Sequence, residues 1–257
     1  ITSLLQVLRV TGDQRLIEKE VTQLINGMRE RDARFVYGSD HSLSTNIDYK
    51  DFLYDYFAAR LENLRSRLKK KYPTLFLIPG NDDSRSHEAA LLDISASGLI
   101  SYVNQRIINF GSYSIAGYSF IPPSPFLNKD WEKYDISRYV DVGCVSPEQG
   151  YRTFPVSEID LRFYTIKRDL ELMFQDARMD RMICLFHAPP YDTFLDRADL
   201  DNKFIDHVPL DVHIGSIAIK EFILYRKPYI TLHGHVHEST RLTGHWQQKI
   251  GNTYSFQ

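Results

Sequence analysis

Apolar and polar positions follow one order several times along this chain: an amphipathic stretch, a short run apolar on both faces, then a polar loop. From Asp48 to Lys71, Leu53, Phe57, Leu64 and Leu68 recur at the spacing of one helical face, while Arg60, Glu62, Arg65 and Arg67 lie off it. Lys69, Lys70 and Lys71 suit the negative end of a helix dipole, and Pro73 stops the helix. The run Leu75–Pro79 then predicts a strand buried on both faces, ending in Gly80-Asn81-Asp82-Asp83. A helix predicted from about Ser157 to Gln175, with Ser157 and Asp160 spaced for capping, leads to a strand at Met182–Phe186 and the loop His187-Ala188-Pro189-Pro190. A further helix opens near Ser216 and carries Ile217, Phe222 and Ile223. After Pro228 comes a strand at Tyr229–Leu232, then His233-Gly234-His235-Val236-His237. Earlier, Ala33–Tyr37 leads into Gly38-Ser39-Asp40-His41.

Strand, polar loop, helix, strand is an α/β plan. In such sheets ligands collect beyond the carboxyl ends of the strands, so the loops at Asp40, Asn81, His187 and His235 are expected to converge. No internal repeat or Gly/Ser linker interrupts the chain, which predicts a single domain over residues 1–257. The stretch from Ser112 to Pro125 reads as β-rich. Trp131 and Tyr134 follow in a charged segment, where they wall a pocket or pack beneath a loop.

Composition narrows the function. Thirty-one Lys+Arg against 33 Asp+Glu give a net charge of -2, without the cationic excess that holds a nucleic-acid backbone. No apolar run reaches the ~20 residues of a membrane span and no signal peptide opens the chain, so a cytoplasmic protein is expected. Two cysteines are too few for a disulfide framework, and Cys184, inside an apolar run, reads as a buried thiol.

Three of the nine histidines fall within residues 233–237. His235 and His237 are two apart, so on an extended segment they project to one side, with Gly234 permitting tight backbone between strand and loop. Neutral imidazoles with the oxygen of Asn81 and an Asp form a donor set suited to Mn, Fe or Zn rather than to Ca or Mg. His187, directly after another apolar run, joins the same candidate group. His213, Gly215 and Ser216 mark a helix start, where free N–H groups receive an anion or Ser216 simply caps.

Gly80-Asn81-Asp82-Asp83, then His187, then Gly234-His235-Val236-His237 resemble in order and rough spacing the later motifs of the calcineurin-like metallophosphoesterases. The His187-Ala188-Pro189-Pro190-Tyr191-Asp192-Thr193 and His213-Ile214-Gly215-Ser216 stretches are similar to a bacterial and archaeal branch of that family. The resemblance implies a two-sheet mixed β-sandwich flanked by helices, a four-layer fold, with two divalent or mixed-valence transition-metal ions at one edge. It implies Asn81, His187 and His235 on one ion, His237 on the other, and Asp40 as the bridging carboxylate, although Ser39 stands where the family has Gly. The implied reaction is hydrolysis of a phosphodiester or phosphomonoester in a small phosphorylated substrate, by a hydroxide bridging the ions. The family's first motif, Asp-x-His, has no counterpart before residue 40: Asp13-Gln14-Arg15 ends in Arg, which cannot ligate. The expectation is therefore that the domain is incomplete at both ends. Asp82 occupies the position of the family's His and is the candidate for its catalytic role, yet an ionised Asp cannot donate a proton. Asp83 is expected to orient a neighbouring ligand. The alternative is a non-catalytic binding or scaffold protein that keeps the fold with a degraded metal site.

Overall fold

The computed structural model describes residues 52–257. Asp40, Asp13 and the run Ala33–Tyr37 lie outside them. The described residues divide into two compact units, one of 52–77 and 86–102, the other of 78–85 and 103–257.

In the first unit the expected helix runs through three geometries. A π-helical stretch at Phe52–Ala58 continues as α1, Ala59–Leu68, and ends in a 3-10 turn at Lys69–Lys71, where Lys69 takes φ +50°. Leu53, Phe57 and Leu61 pack with Leu91 and Ile94 of α2, Glu88–Ala96. The apolar run after α1 supplies only two strand residues, β1 at Phe76–Leu77, which pairs in parallel with β2 at Ser101–Tyr102.

The second unit is a mixed α/β structure built on a six-stranded mixed sheet. Its elements in chain order are β3 Arg106–Phe110, β4 Tyr113–Tyr118, α3 Glu158–Phe163, α4 Ile166–Met173, β5 Met182–Phe186, a small hairpin of β6 Phe204–Ile205 and β7 Val208–Pro209, α5 Ile217–Arg226, β8 Ile230–His233, α6 Ser239–Thr243, β9 Gln247–Ile250 and β10 Thr253–Phe256. The sheet order is β3-β4-β5-β8-β10-β9. β4, β5, β8 and β10 run parallel, and the edge strands β3 and β9 pair antiparallel. β5 sits centrally with all five residues buried, which is why its sequence is apolar at every position. On one face, Ala116, Tyr118, Cys184 and Phe186 pack against Ile166 and Leu170 of α4 and against Ile219, Phe222 and Ile223 of α5. Each such fully buried large side chain contributes roughly 1.5–3 kcal/mol.

The helix expected over residues 157–175 is two helices. Ser157 Oγ accepts from Asp160 N at 3.1 Å to start α3, and Thr165 Oγ1 accepts from Arg168 N at 3.2 Å to start α4. The second cap reads in sequence as an ordinary mid-helix threonine, so the break is invisible to periodicity. On the other face of the sheet, β4 carries Gly117. A Cβ there would stand 2.5 Å from Ile78 Cγ2 and 2.6 Å from Val103 O, so glycine admits the segment that bears Asn81. Among the described residues no helix is long and apolar enough to cross a membrane.

Candidate metal centre

Adjacent parallel strands deliver the histidines. β5 and β8 pair in register up to Phe186 and His233, and the ladder continues where Gly234 N donates to His187 O at 3.1 Å. His187 and the turn after β8 therefore leave the sheet side by side, at the strand ends where α/β sheets gather ligands. The chain reaches His235 in a left-handed conformation, φ +65°, and no strand extends beyond His233. The expectation that His235 and His237 share a side because they lie on extended backbone is thus corrected. The special φ falls on His235 rather than on Gly234, a costly conformation for a side-chain-bearing residue.

Asn81 completes the group. Its Oδ1 lies 2.8 Å from His187 Nε2 and 3.0 Å from His235 Nδ1, and the two imidazoles stand 5.3 Å apart between centroids at 62°. Asn81 Nδ2 donates to Asp82 Oδ1 at 3.0 Å, which fixes the amide with its oxygen toward the rings. Asp82 thus acts as an acceptor that orients Asn81, a role its position in the sequence does not advertise.

His187 is buried and His235 half-buried. Burial first, then the neighbouring His235 and His237, hold His187 well below the usual imidazole range. Burial lowers His235 to about 4, with Asp82 opposing and His237 adding to the shift. Both rings are therefore neutral at pH 7, the form that ligates metals. His237 is exposed and near enough to act electrostatically on both.

The donor set fits a transition metal. Two ligand atoms each ~2.1 Å from one ion and at right angles to it lie ~3.0 Å apart, and the amide oxygen stands at about that separation from each ring nitrogen. Among the described residues, however, no group of three or more His, Cys, Asp or Glu could hold a metal ion, so the cluster depends on the amide of Asn81. The carboxylate expected from Asp40 lies outside the described residues.

The turn under Asn81 is held by residues that sequence reading gave other roles or none. Asp83, expected to orient a ligand, accepts instead from Gly80 N at 2.7 Å and closes the turn. Burial outweighs that bond and raises its carboxyl to about 6. Trp131, a candidate pocket wall, is buried and donates from Nε1 to Asp83 O at 2.7 Å. Asp130 accepts from Arg85 N at 2.8 Å and from Thr153 N at 2.7 Å, tying the far end of the segment down. His233, inside the histidine-rich motif, turns into the sheet, with Nδ1 2.9 Å from Ala188 O and Nε2 2.8 Å from Thr231 Oγ1.

The anion site considered at the start of α5 is filled from within. Asp135 accepts from Ser216 Oγ at 2.6 Å and from Ile217 N at 2.7 Å, while Ser216 Oγ caps Ile219 N at 3.0 Å.

No family model and no curated protein matches this chain. Among solved structures, one crystal structure is similar over 90% of this chain and 73% of its own, at 15% identity and a TM-score of 0.46. The crystal structure of TT1561 of Thermus thermophilus is similar over 78% of this chain and 67% of its own, at 15% identity and a TM-score of 0.40.

Proposed function

We propose that this chain is a metal-dependent phosphoesterase of the calcineurin-like kind, its six-stranded sheet forming part of a two-sheet sandwich. The observation that carries this reading is the convergence of Asn81 Oδ1, His187 Nε2 and His235 Nδ1 within 3.0 Å contacts at the carboxyl ends of parallel strands. Asn81, His187 and His235 would hold one ion and His237 would help hold a second, with Asp40 the candidate carboxylate shared by both, the ions being Mn, Fe or Zn. When bound, such ions supply Lewis-acid polarisation of a phosphate and lower the pKa of water. The chain's own residues do the rest. Asp82 keeps the Asn81 oxygen turned inward, Asp83 and Trp131 hold the turn, and burial keeps the two imidazoles unprotonated. No Ser or Cys nucleophile is needed, so water is the acceptor and a phosphate ester of a small molecule the substrate.

One observation favours a second reading, a scaffold with a degraded site: among the described residues no carboxylate joins the two histidines in a metal-holding group. Hydrolysis of bis(p-nitrophenyl) phosphate and p-nitrophenyl phosphate with added Mn separates the two. Turnover that falls at least 100-fold in His235→Ala supports the enzyme. No turnover of either ester by wild type, with Mn, Fe or Zn, supports the scaffold.

A further inference from the structure

Alternation along two neighbouring strands places a further polar side chain beside His187. At the end of β5, Phe186 and Ala188 pack into the core on the helix-covered face, so His187 between them points to the opposite face, where its ring meets Asn81. At the end of β4, Tyr118 and Phe120 pack into the same core, so Ser119 between them points to that opposite face as well. The two strands pair in register up to Tyr118 and Phe186, and His187 N donates to Tyr118 O at 2.9 Å. The next pair of positions along the ladder is therefore Ser119 beside His187. Neighbouring strands stand ~4.8 Å apart, which sets these two side chains next to each other.

Ser119 is fully buried, and among the described residues its Oγ has no hydrogen-bond partner. Buried polar groups in folded proteins are nearly always bonded, so a buried hydroxyl in this state calls for a functional or structural reason. The backbone that carries it is held in place: Ser119 N donates to Asn104 Oδ1 at 3.0 Å, and Gln105 N donates to Gly117 O at 2.7 Å. Packing alone would be served by alanine. His187 shows the matching gap. Its Nε2 lies 2.8 Å from Asn81 Oδ1, while its Nδ1 has no hydrogen-bond partner among the described residues. His233, by contrast, has both ring nitrogens bonded.

We propose that Ser119 is a positioning residue of the metal centre, its hydroxyl accepting the Nδ1–H of His187 and so keeping the Nε2 lone pair directed at the ion. This rests on the metal-dependent reading above. A neutral imidazole carries one N–H, and a ring that ligates through Nε2 carries it on Nδ1. Histidines that hold metals almost always give that hydrogen to an acceptor outside the ligand set, which fixes the ring and makes it a better donor. Rotation about the Cα–Cβ bond of Ser119 turns its oxygen between staggered positions without moving the backbone. The hydroxyl thus has the freedom to meet the ring, and the strand holds it at the right place along the ladder.

The experiment measures Zn binding to the full chain by isothermal titration for wild type, Ser119→Ala and Ser119→Thr, with melting curves of the metal-free proteins alongside. Loss of the hydroxyl is expected to weaken Zn binding by about 10–100-fold, and Thr, which keeps a hydroxyl, to hold affinity within about threefold of wild type. Metal-free Ser119→Ala is expected to melt no lower than wild type, because the hydroxyl has no bond among the described residues to lose. A merely structural serine predicts the reverse, a lower melting point with unchanged affinity. Nitrogen-15 NMR of the Zn-loaded wild type gives a readout that needs no variant: the His187 proton is expected on Nδ1, exchanging slowly with water, and in Ser119→Ala it exchanges faster. Unchanged Zn affinity in Ser119→Ala, or a His187 proton on Nε2 in loaded wild type, would overturn this role while leaving the phosphoesterase reading intact. Wild type that binds no Zn overturns both.

Discussion

Individual side chains in this protein carry roles set by one or two contacts. Asp82 holds the Asn81 amide through a single hydrogen bond at 3.0 Å, and residues that orient metal ligands are typically worth about 10–100-fold in affinity. Asp82→Ala is therefore expected to weaken Mn binding by about tenfold in isothermal titration without lowering the melting temperature; unchanged affinity would remove Asp82 from the site. Gly117 is limited by backbone as well as side chain, since Val103 O cannot rotate away as Ile78 can. Overpacking of this kind costs about 1–3 kcal/mol, so Gly117→Ala should lower the urea midpoint accordingly. The left-handed φ of His235 belongs to the same scale. The motif Gly-His-x-His is legible in the chain, but the backbone conformation it adopts is not, because residue type alone does not reveal a positive φ at a non-glycine.

Among the elements, the turn 80–83 and the segment near residue 131 are the least expected partners. Trp131 reads in sequence as one more buried aromatic, and its indole N–H bond to Asp83 O joins positions 48 residues apart, beyond any local signal. Trp131→Phe leaves that buried carbonyl without its donor, a loss of about 1–3 kcal/mol. Urea denaturation should show the loss, accompanied by weaker metal binding; a stability loss with unaltered metal affinity would show that the bond supports the fold alone. The central strand makes a different prediction. Cys184 is fully buried and its thiol is pushed well up by burial, while Cys144, partly buried, is raised to about 11, chiefly by burial. The reactive thiolate is scarce in both at pH 7. Labelling of the native protein with a chromogenic disulfide is expected to be slow at pH 7, to rise about tenfold per pH unit toward pH 9 at Cys144 alone, and to reach two thiols at once on unfolding. Fast native labelling of Cys184 would contradict the buried position of β5.

Across the molecule, the α/β plan and the gathering of loops at strand ends follow from apolar runs such as Met182–Phe186, because a strand covered on both faces has to be apolar throughout. The two-unit division does not follow from them: residues 78–85 lie with the sheet of the second unit while their neighbours on both sides belong to the first, a long-range choice that no linker composition marks. The Asp135 carboxylate at the start of α5 is equally hidden, being 81 residues from Ser216 in sequence. What the chain does reveal is the meeting of Asn81, His187 and His235, since each follows a run that ends a strand or turn. The measurement that bears on it most directly is the metal content of the purified full chain after equilibration with Mn or Zn and removal of free ions. The account predicts at least one tightly held ion per chain in wild type and at least one fewer in both Asn81→Leu and His235→Ala. Wild type that retains none, while properly folded, would contradict it.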